Sequence, residues 1–276
     1  MTLHPLEQLL RQIRRILGLS ELHGSTKWQS QIYTFLLECM TLRRGIPRSL
    51  NQEPELRLVP TCRFLNTRYE AEVWTWLKEH IQPGSVILDV GAQFGLYAML
   101  ASRYVGPTGK VYAFEPSPAT VTVLKRHLKL NELESVVEVV PMAVGATTGE
   151  VTFYMAGTHP SNTLAPTEVD PVPLTPIQVE ATTVDSFCAE RGVQPSLLKI
   201  DTEGWELHVL RGARETLANA ALVVVVEMHP YAWDSAGYTK EDFEGFLREE
   251  RLQVVPLTGQ TSPLTEYGEV WIKPAT

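Results

Sequence analysis

Short apolar runs alternate with helix-spaced apolar positions over most of this chain. Residues 86–88, 110–114, 136–140, 197–200, 222–226, 252–255 and 270–273 carry nearly continuous apolar runs, which suits strands covered on both faces. Residues 151–155 and 177–181 add two further strand-like runs. Between the runs, 68–81, the stretch from Leu96, 118–130 and 184–191 read as helices. Asn66 or Thr67, Ser117 and Thr183 stand as N-caps, and Pro118 fits a first helical turn. The alternation predicts an α/β fold, with a doubly wound, mainly parallel seven-stranded sheet.

The first 65 residues read differently. Leu3, Leu6, Leu9, Leu10, Ile13, Ile16 and Leu17 recur at helical spacing, with Arg11, Arg14 and Arg15 on other faces. A second helix is expected near residues 28–42, and an irregular connector over 45–66, where Pro47, Pro54 and Pro60 interrupt the pattern. We expect a helical extension or cap at 1–65 and the main domain at 66–276. Because the first helix is basic, a membrane-surface or partner-binding role is its alternative reading.

Residues 86–95, VILDVGAQFG, are the most informative stretch. An apolar run ends at Asp89, Gly91 and Gly95 allow a sharp turn, and a helix follows. Strand, glycine loop and helix form the entry to a nucleotide-type site in an open α/β sheet. A dinucleotide fingerprint needs glycine at the third and sixth loop positions, but Gln93 and Leu96 stand there. The loop therefore suits S-adenosylmethionine better than NAD, with Asp89 placed to attract its amino group. Glu115, at the tip of the second strand and followed by Pro116 and Ser117, can accept from both ribose hydroxyls. Met142 and Ala143 follow the third strand, where an adenine edge is expected.

Two later strands end in reactive side chains. LLKIDTEGWE places Asp201 at one tip, Glu203 in the loop and Glu206 in the next helix; ALVVVVEMHP places Glu227 and His229 at the other. Methyl transfer to oxygen needs the acceptor hydroxyl to lose its proton, either to a side-chain base or by help from a divalent ion such as magnesium. His229 is the first candidate for the base because its reference pKa lies near neutrality. Asp201 would orient the acceptor or bind metal, and Glu203 and Glu206 divide evenly between structural and chemical roles. The loop over 156–176, with five prolines, is expected to touch the acceptor.

Composition narrows the picture only a little. The chain has 276 residues, 44% of them hydrophobic, enough for a full core. A net charge of -8 argues against a nucleic-acid binder. Cys39, Cys62 and Cys188 lack metal-ligand spacing and fit thiols in a reducing cytoplasm. No apolar run is long enough to span a bilayer.

DVGAQFG, FEPSP, LLKIDTEGWELHVLRGA and VVEMHP together resemble the FkbM-type methyltransferase family, over roughly residues 66 to 273. The resemblance implies a class I, Rossmann-like, S-adenosylmethionine-dependent methyltransferase acting on hydroxyl oxygens of natural products or sugars. It implies a cofactor loop at Asp89, Gly91 and Gly95, with Glu115 on the ribose and Ala143 against the adenine; Ala92, Gln93, Pro116, Ser117 and Met142 are expected to complete the cofactor site. It also implies an acceptor site at Asp201, Glu203, Glu227 and His229. Gln93 departs from the asparagine common in the family. The expected partner is a small-molecule or glycan acceptor, with homodimerisation through the N-terminal helices an alternative to an intramolecular cap. The competing readings are an NAD-dependent oxidoreductase and a catalytically silent binding module of the same fold.

Overall fold

The structure is a computed structural model that describes residues 27–63, 65–168 and 172–275. The expected helix over residues 3–17 lies outside them. The chain opens with helix α1 (Lys27–Met40), followed by strands β1 (Ile46–Arg48) and β2 (Leu56–Leu58). These strands pair antiparallel, Ile46 opposite Leu58, and a 3-10 turn at Pro60–Cys62 follows. The expected irregular connector is thus partly ordered. The cause is a two-residue period: Leu56 and Leu58 are buried while Arg57 between them faces out.

Helix α2 spans Ala71–His80, shorter than expected from residues 68–81. Its N-cap is Glu70, in a left-handed conformation at φ 42°, not Asn66 or Thr67. Asn66 instead turns back to accept the Arg68 N–H at 3.0 Å. Then come β3 (Val86–Val90), α3 (Leu96–Val105), β4 (Lys110–Phe114), α4 (Pro118–Leu130) and β5 (Val137–Val140). Ser117 accepts from Thr120 N–H and caps α4 as its sequence position predicts.

Strands β6 (Ala143–Val144), β7 (Gly149–Met155) and β8 (Thr175–Thr182) form a separate three-stranded sheet in the order β6-β8-β7. Helix α5 (Val184–Arg191), capped by Thr183, leads into β9 (Leu197–Ile200) and the short helices α6 (Glu206–Arg211) and α7 (Arg214–Leu217). Strand β10 (Val223–Met228), helix α8 (Lys240–Glu249), β11 (Leu252–Pro256) and β12 (Gly268–Pro274) complete the chain.

The main sheet has seven strands in the order β11-β12-β10-β9-β3-β4-β5. All its pairs are parallel except those of β12, which runs antiparallel to both β10 and β11. The sheet is therefore doubly wound and mainly parallel, as the alternating pattern predicts. Side chains alternate between two apolar layers: Leu88, Val90, Leu198 and Ile200 belong to one, Ile87, Val111 and Leu197 to the other. Leu50, Leu56 and Leu58 of the N-terminal segment share the second layer with Leu96, Met99 and Leu124. Strand order reverses between β3 and β9, and a ligand crevice is expected beyond their carboxyl ends.

Candidate active site

The loop after β3 is tied to the neighbouring strands on both sides. The N–H groups of Gly91 and Ala92 both donate to the Phe114 carbonyl, at 3.0 and 2.9 Å. Across the loop, Asp201 N–H donates to the Val90 carbonyl at 2.9 Å. Gly91 has φ +83°, and a Cβ there would lie 1.6 Å from the Asp201 carbonyl oxygen. Only glycine lets β3 and β9 end this close together. Gly95 caps α3 in the left-handed region, and a Cβ there would meet Leu124 Cδ1 at 2.0 Å.

Beyond these strand ends opens a cavity of about 510 Å³, within the range of small-molecule sites. One end is apolar, with Phe114, Met142, Ala143, Val144 and Phe153 on its wall. Glu115 stands beside them, and backbone fixes both of its oxygens. Ser117 N–H donates to Oε1 at 2.8 Å and Gln93 N–H to Oε2 at 3.0 Å. Burial pushes the Glu115 pKa up to about 7, against the pull of those two hydrogen bonds. The hydroxyls of Thr120 and Thr202, both on the wall, are buried and lack a hydrogen-bond partner. Buried polar groups rarely stay unpaired, so these two point to a bound ligand. A fixed carboxylate beside an apolar slot fits the ribose and adenine of S-adenosylmethionine.

The sequence-selected cofactor residues divide into two groups. Gly91, Gln93, Glu115, Pro116, Met142 and Ala143 line the cavity. Asp89, Ala92, Gly95 and Ser117 do not, and act on the site through the backbone they shape. Asp89 departs furthest from expectation. It lies inside β3, not beyond it, and points into the second core layer beside Tyr97 and Lys199. Both its oxygens are buried without a hydrogen bond. Burial raises its pKa to about 6 against the Lys199 charge. In a strand of period two, a side chain one residue before a wall residue such as Val90 faces the opposite side. The amino-group role expected for Asp89 thus lacks contact with the cavity.

The other end of the cavity is acidic. Glu70, Asp201, Glu203 and Glu227 line it together with Tyr69 and Tyr267. With Glu115 this makes five carboxylates, and no lysine or arginine lines the cavity among the described residues. The cations lie just behind. Lys199 Nζ is 3.1 Å from Asp201 Oδ2 and sits over the Tyr97 ring. Burial disfavours its charge, but Asp201 and Asp89 outweigh burial and raise its pKa. Burial likewise opposes the Asp201 charge, yet Lys199, His229 and a hydrogen bond from Glu227 hold Asp201 below the usual carboxylate range. Glu227 is pushed up to about 9 by burial and by the Asp201 charge, and Tyr267 donates its hydroxyl to it. At neutral pH the pair therefore holds an ionised Asp201 beside a protonated Glu227.

His229 does not line the cavity, and only 2% of it is exposed. Its Nδ1 lies 2.9 Å from Glu206 Oε1, while Nε2 faces Glu203 at 3.6 Å and Glu227 at 3.9 Å. Burial alone would lower its pKa, but the Glu206 bond and the surrounding carboxylates push it up to about 10. His229 is thus a buried imidazolium that supports the acids. The expectation that it is the base rested on a reference pKa that its surroundings do not preserve. Glu206 is fully buried and accepts from Gly204 N–H, Trp233 Nε1–H, Tyr238 O–H and His229.

Glu203 sits on the wall at φ +52°. Thr163 of the 156–176 loop donates to its carbonyl at 2.8 Å, and Tyr231 donates to its carboxylate at 3.1 Å. Burial raises the Glu203 pKa, against the pull of His229. His159, Pro160, Asn162 and Leu164 of the same loop line the cavity, as that loop's length and prolines predict. Glu70, Tyr69, Thr120 and Tyr267 escape the sequence reading, because none belongs to a motif and each comes from an element away from the strand tips. Asp201, Glu227 and His229 bring potential metal-ligating atoms within 4.8 Å of one another, as do Glu70, Glu227 and Glu269.

Comparison with known proteins follows the same lines. Residues 89–252 match the model of the methyltransferase FkbM domain. The hexuronic acid methyltransferase AglP of Haloferax volcanii is 28% identical over 198 residues, which are 69% of this chain and 72% of that protein. The 31-O-demethyl-FK506 methyltransferase FkbM of Streptomyces tacrolimicus is 30% identical over 175 residues, 54% of this chain and 67% of that one. Among solved structures, the methyltransferase FkbM of Methylobacillus flagellatus KT aligns at a TM-score of 0.44 and 16% identity, covering 98% of this chain and 71% of that one. With more than half its length matched by the family model and the glycine loop and acid-tipped strands in place, the chain belongs to the FkbM methyltransferase family.

Proposed function

We propose that this methyltransferase transfers the methyl group of S-adenosylmethionine to a hydroxyl oxygen of an uncharged small molecule or glycan. The observation that carries the reading is the two-ended cavity. Glu115 and an apolar slot stand at one end and Asp201, Glu203 and Glu227 at the other, with no lysine or arginine on the described wall. With Glu70, Asp201, Glu203 and Glu227 make four carboxyl groups on one side, which suits an acceptor that donates several hydroxyl hydrogens. The same wall would repel an acceptor carrying a carboxylate or phosphate near the reacting oxygen. The similar protein AglP is named for a hexuronic acid, so this chain's acceptor is expected to differ in charge from that acid. Membership of the methyltransferase family leaves the NAD-dependent oxidoreductase reading without support.

S-adenosylmethionine supplies a sulfonium-activated methyl group that an oxygen nucleophile can take. The chain's own residues would prepare that nucleophile. Asp201, ionised and held by Lys199, accepts a hydrogen bond from the acceptor and orients it. Glu227, carrying a proton, can donate to a second acceptor oxygen. Glu203 takes the proton of the reacting hydroxyl. It faces the cavity, and burial makes it a stronger base than an ordinary carboxylate. His229 behind it stabilises the charge pattern without touching the acceptor. A metal-assisted route is the second reading: Asp201, Glu227 and His229 present ligating atoms within 4.8 Å of one another, and Glu206 on Nδ1 leaves His229 Nε2 facing the acids.

The test is a transfer assay with isotopically labelled S-adenosylmethionine against neutral sugars, macrolide-type alcohols and their acidic counterparts, with titration of S-adenosylhomocysteine in parallel. The reading requires binding of the homocysteine product and labelling of neutral hydroxyl compounds. Glu203→Gln should lower kcat by about 10²–10⁴-fold while product binding stays intact. Binding of the product without transfer to any acceptor, in protein whose Glu203 and Asp201 variants behave as wild type, would support a silent binding module instead.

A further inference from the structure

We propose that the end of α1 and the turn after it form a docking surface for an anionic lipid bilayer. Four large apolar side chains project outward there: Phe35, Leu36, Met40 and Leu42 are 65%, 42%, 36% and 74% exposed. Exposed apolar residues in a group of this size, rather than singly, mark an interaction site. Leu42 and Arg43 are both held at positive φ, 49° and 59°, an unusual pairing for residues other than glycine. It turns the chain at the helix end and leaves both side chains exposed.

Cations border the apolar group. Arg43, Arg44, Arg57 and Lys129 are exposed around a shallow groove of about 840 Å³. Glu38 is the acid on that groove, and Arg126 takes it in a two-pronged ion pair. The surface is thus strongly basic in a chain whose net charge is -8. In sequence, α1 is preceded by a segment in which Arg11, Arg14 and Arg15 stand among leucines, the same pairing of apolar and basic residues.

The chemistry selects the partner. Aliphatic side chains that can enter the acyl boundary, ringed by arginines that can pair with headgroup phosphates, suit an anionic membrane surface. A nucleic-acid surface would need stacking platforms, and Phe35 is the lone exposed ring on this face among the described residues. A two-fold dimer through the same face would bring like charges together. No described helix is long and apolar enough to cross a membrane. The surface adjoins the active site: α1 packs on the turn at Pro60–Cys62, whose Thr61 and Cys62 line the cavity.

Co-sedimentation of the full chain with vesicles tests the proposal. At 0.1 M NaCl, vesicles with roughly one third phosphatidylglycerol should pellet the protein and pure phosphatidylcholine vesicles should not, and 0.5 M NaCl should release it. Each cation near the surface contributes about fivefold to partitioning, so the double variant Arg43→Glu/Arg44→Glu should bind at least 25-fold more weakly. Leu42→Ser should weaken binding on its own. Unchanged affinity for S-adenosylhomocysteine in both variants serves as the folding control, and it does not depend on the lipid result. Failure to pellet with anionic vesicles, equal pelleting with neutral ones, or full binding by the double variant would each overturn the proposal. So would a dimer in sedimentation velocity that Leu42→Ser abolishes in the absence of vesicle binding, which would assign the face to a second copy.

Discussion

The Glu206 carboxylate and the His229 ring meet at 2.9 Å where neither side chain reaches solvent in any measurable degree beyond 2%. The pair fixes the strand tip that carries Glu227 against the loop that carries Glu203. Three further hydrogen bonds to Glu206, from Gly204, Trp233 and Tyr238, make it the hub of this region. Glu206→Ala would leave His229 Nδ1–H, Gly204 N–H and Trp233 Nε1–H buried without partners, while Tyr238 keeps its bond to the Gly204 carbonyl. We expect a loss of about 3–5 kcal/mol in stability, read as a lower urea midpoint with an unchanged slope. A loss under about 1 kcal/mol would mean that the network is not the anchor described.

The same pair makes stability pH-dependent on the alkaline side. His229 has a reference pKa near 6.5 when unfolded and is pushed up to about 10 when folded. The folded chain therefore holds this proton more tightly. The stabilisation is complete below about pH 6.5 and disappears as pH rises through 10. Glu227, raised from 4.5 to about 9, acts in the same direction between those values. Urea midpoints should fall steadily from pH 6.5 to 10, and His229→Asn should flatten much of that slope. A wild-type curve that is level over this range would remove the imidazolium assignment.

Cofactor affinity should carry its own pH signature. Glu115 must be ionised to accept from both ribose hydroxyls, and burial sets its pKa at about 7. Affinity for S-adenosylhomocysteine should rise from pH 6 to pH 8 and level off above. Glu115→Gln should bind about 10–100-fold more weakly at pH 8 and show little change across the range. Isothermal titration at three pH values decides the matter.

The two glycines of the cofactor loop should not respond alike. At Gly91 a methyl group would overlap the backbone of Asp201, which cannot move without separating β3 from β9. At Gly95 the obstacle is the end of the Leu124 side chain, which can change rotamer. Gly91→Ala should abolish soluble expression or cofactor binding. Gly95→Ala should fold with a cost of about 1–3 kcal/mol, from the left-handed backbone and the displaced leucine. Equal behaviour of the two variants in thermal melts would contradict the close strand approach.

These contrasts show what the sequence makes legible. Strands β3, β4 and β9 and helices α4 and α5 match their sequence patterns because local forces define them: buried runs and the Ser117 and Thr183 caps. Glu115, Asp201 and Glu227, read at strand tips, and Glu203, read in the loop after Asp201, all line the cavity. Asp89 and His229 do not line the cavity, for one shared reason. A linear pattern gives a residue's distance from a tip, but not which side of the sheet its side chain takes or which charges gather around it. Tyr267 meets Glu227 from forty positions along the chain, a contact with no trace in spacing. Val59 and Phe94 are joined in the same silent way.

That junction is His127, fully buried on α4. Its Nε2 accepts the Val59 N–H at 2.9 Å, so Nδ1 carries the proton and donates to the Phe94 carbonyl at 2.9 Å. One neutral ring thus ties the segment after β2 to the cofactor loop. Burial lowers its pKa from 6.5 to about 4, so the unfolded chain binds this proton more readily. The contribution of His127 is complete above pH 6.5 and is lost as pH falls toward 4. His127→Leu should cost about 2–4 kcal/mol by stranding a buried N–H and a carbonyl. It should also weaken S-adenosylhomocysteine binding, because Phe94 lies on the cavity wall. His127→Gln keeps one donor and one acceptor and cannot titrate. It should recover part of both losses and remove the acid sensitivity between pH 6.5 and 4. Recovery of stability without recovery of binding would mean that the ring supports the core alone and does not position the loop.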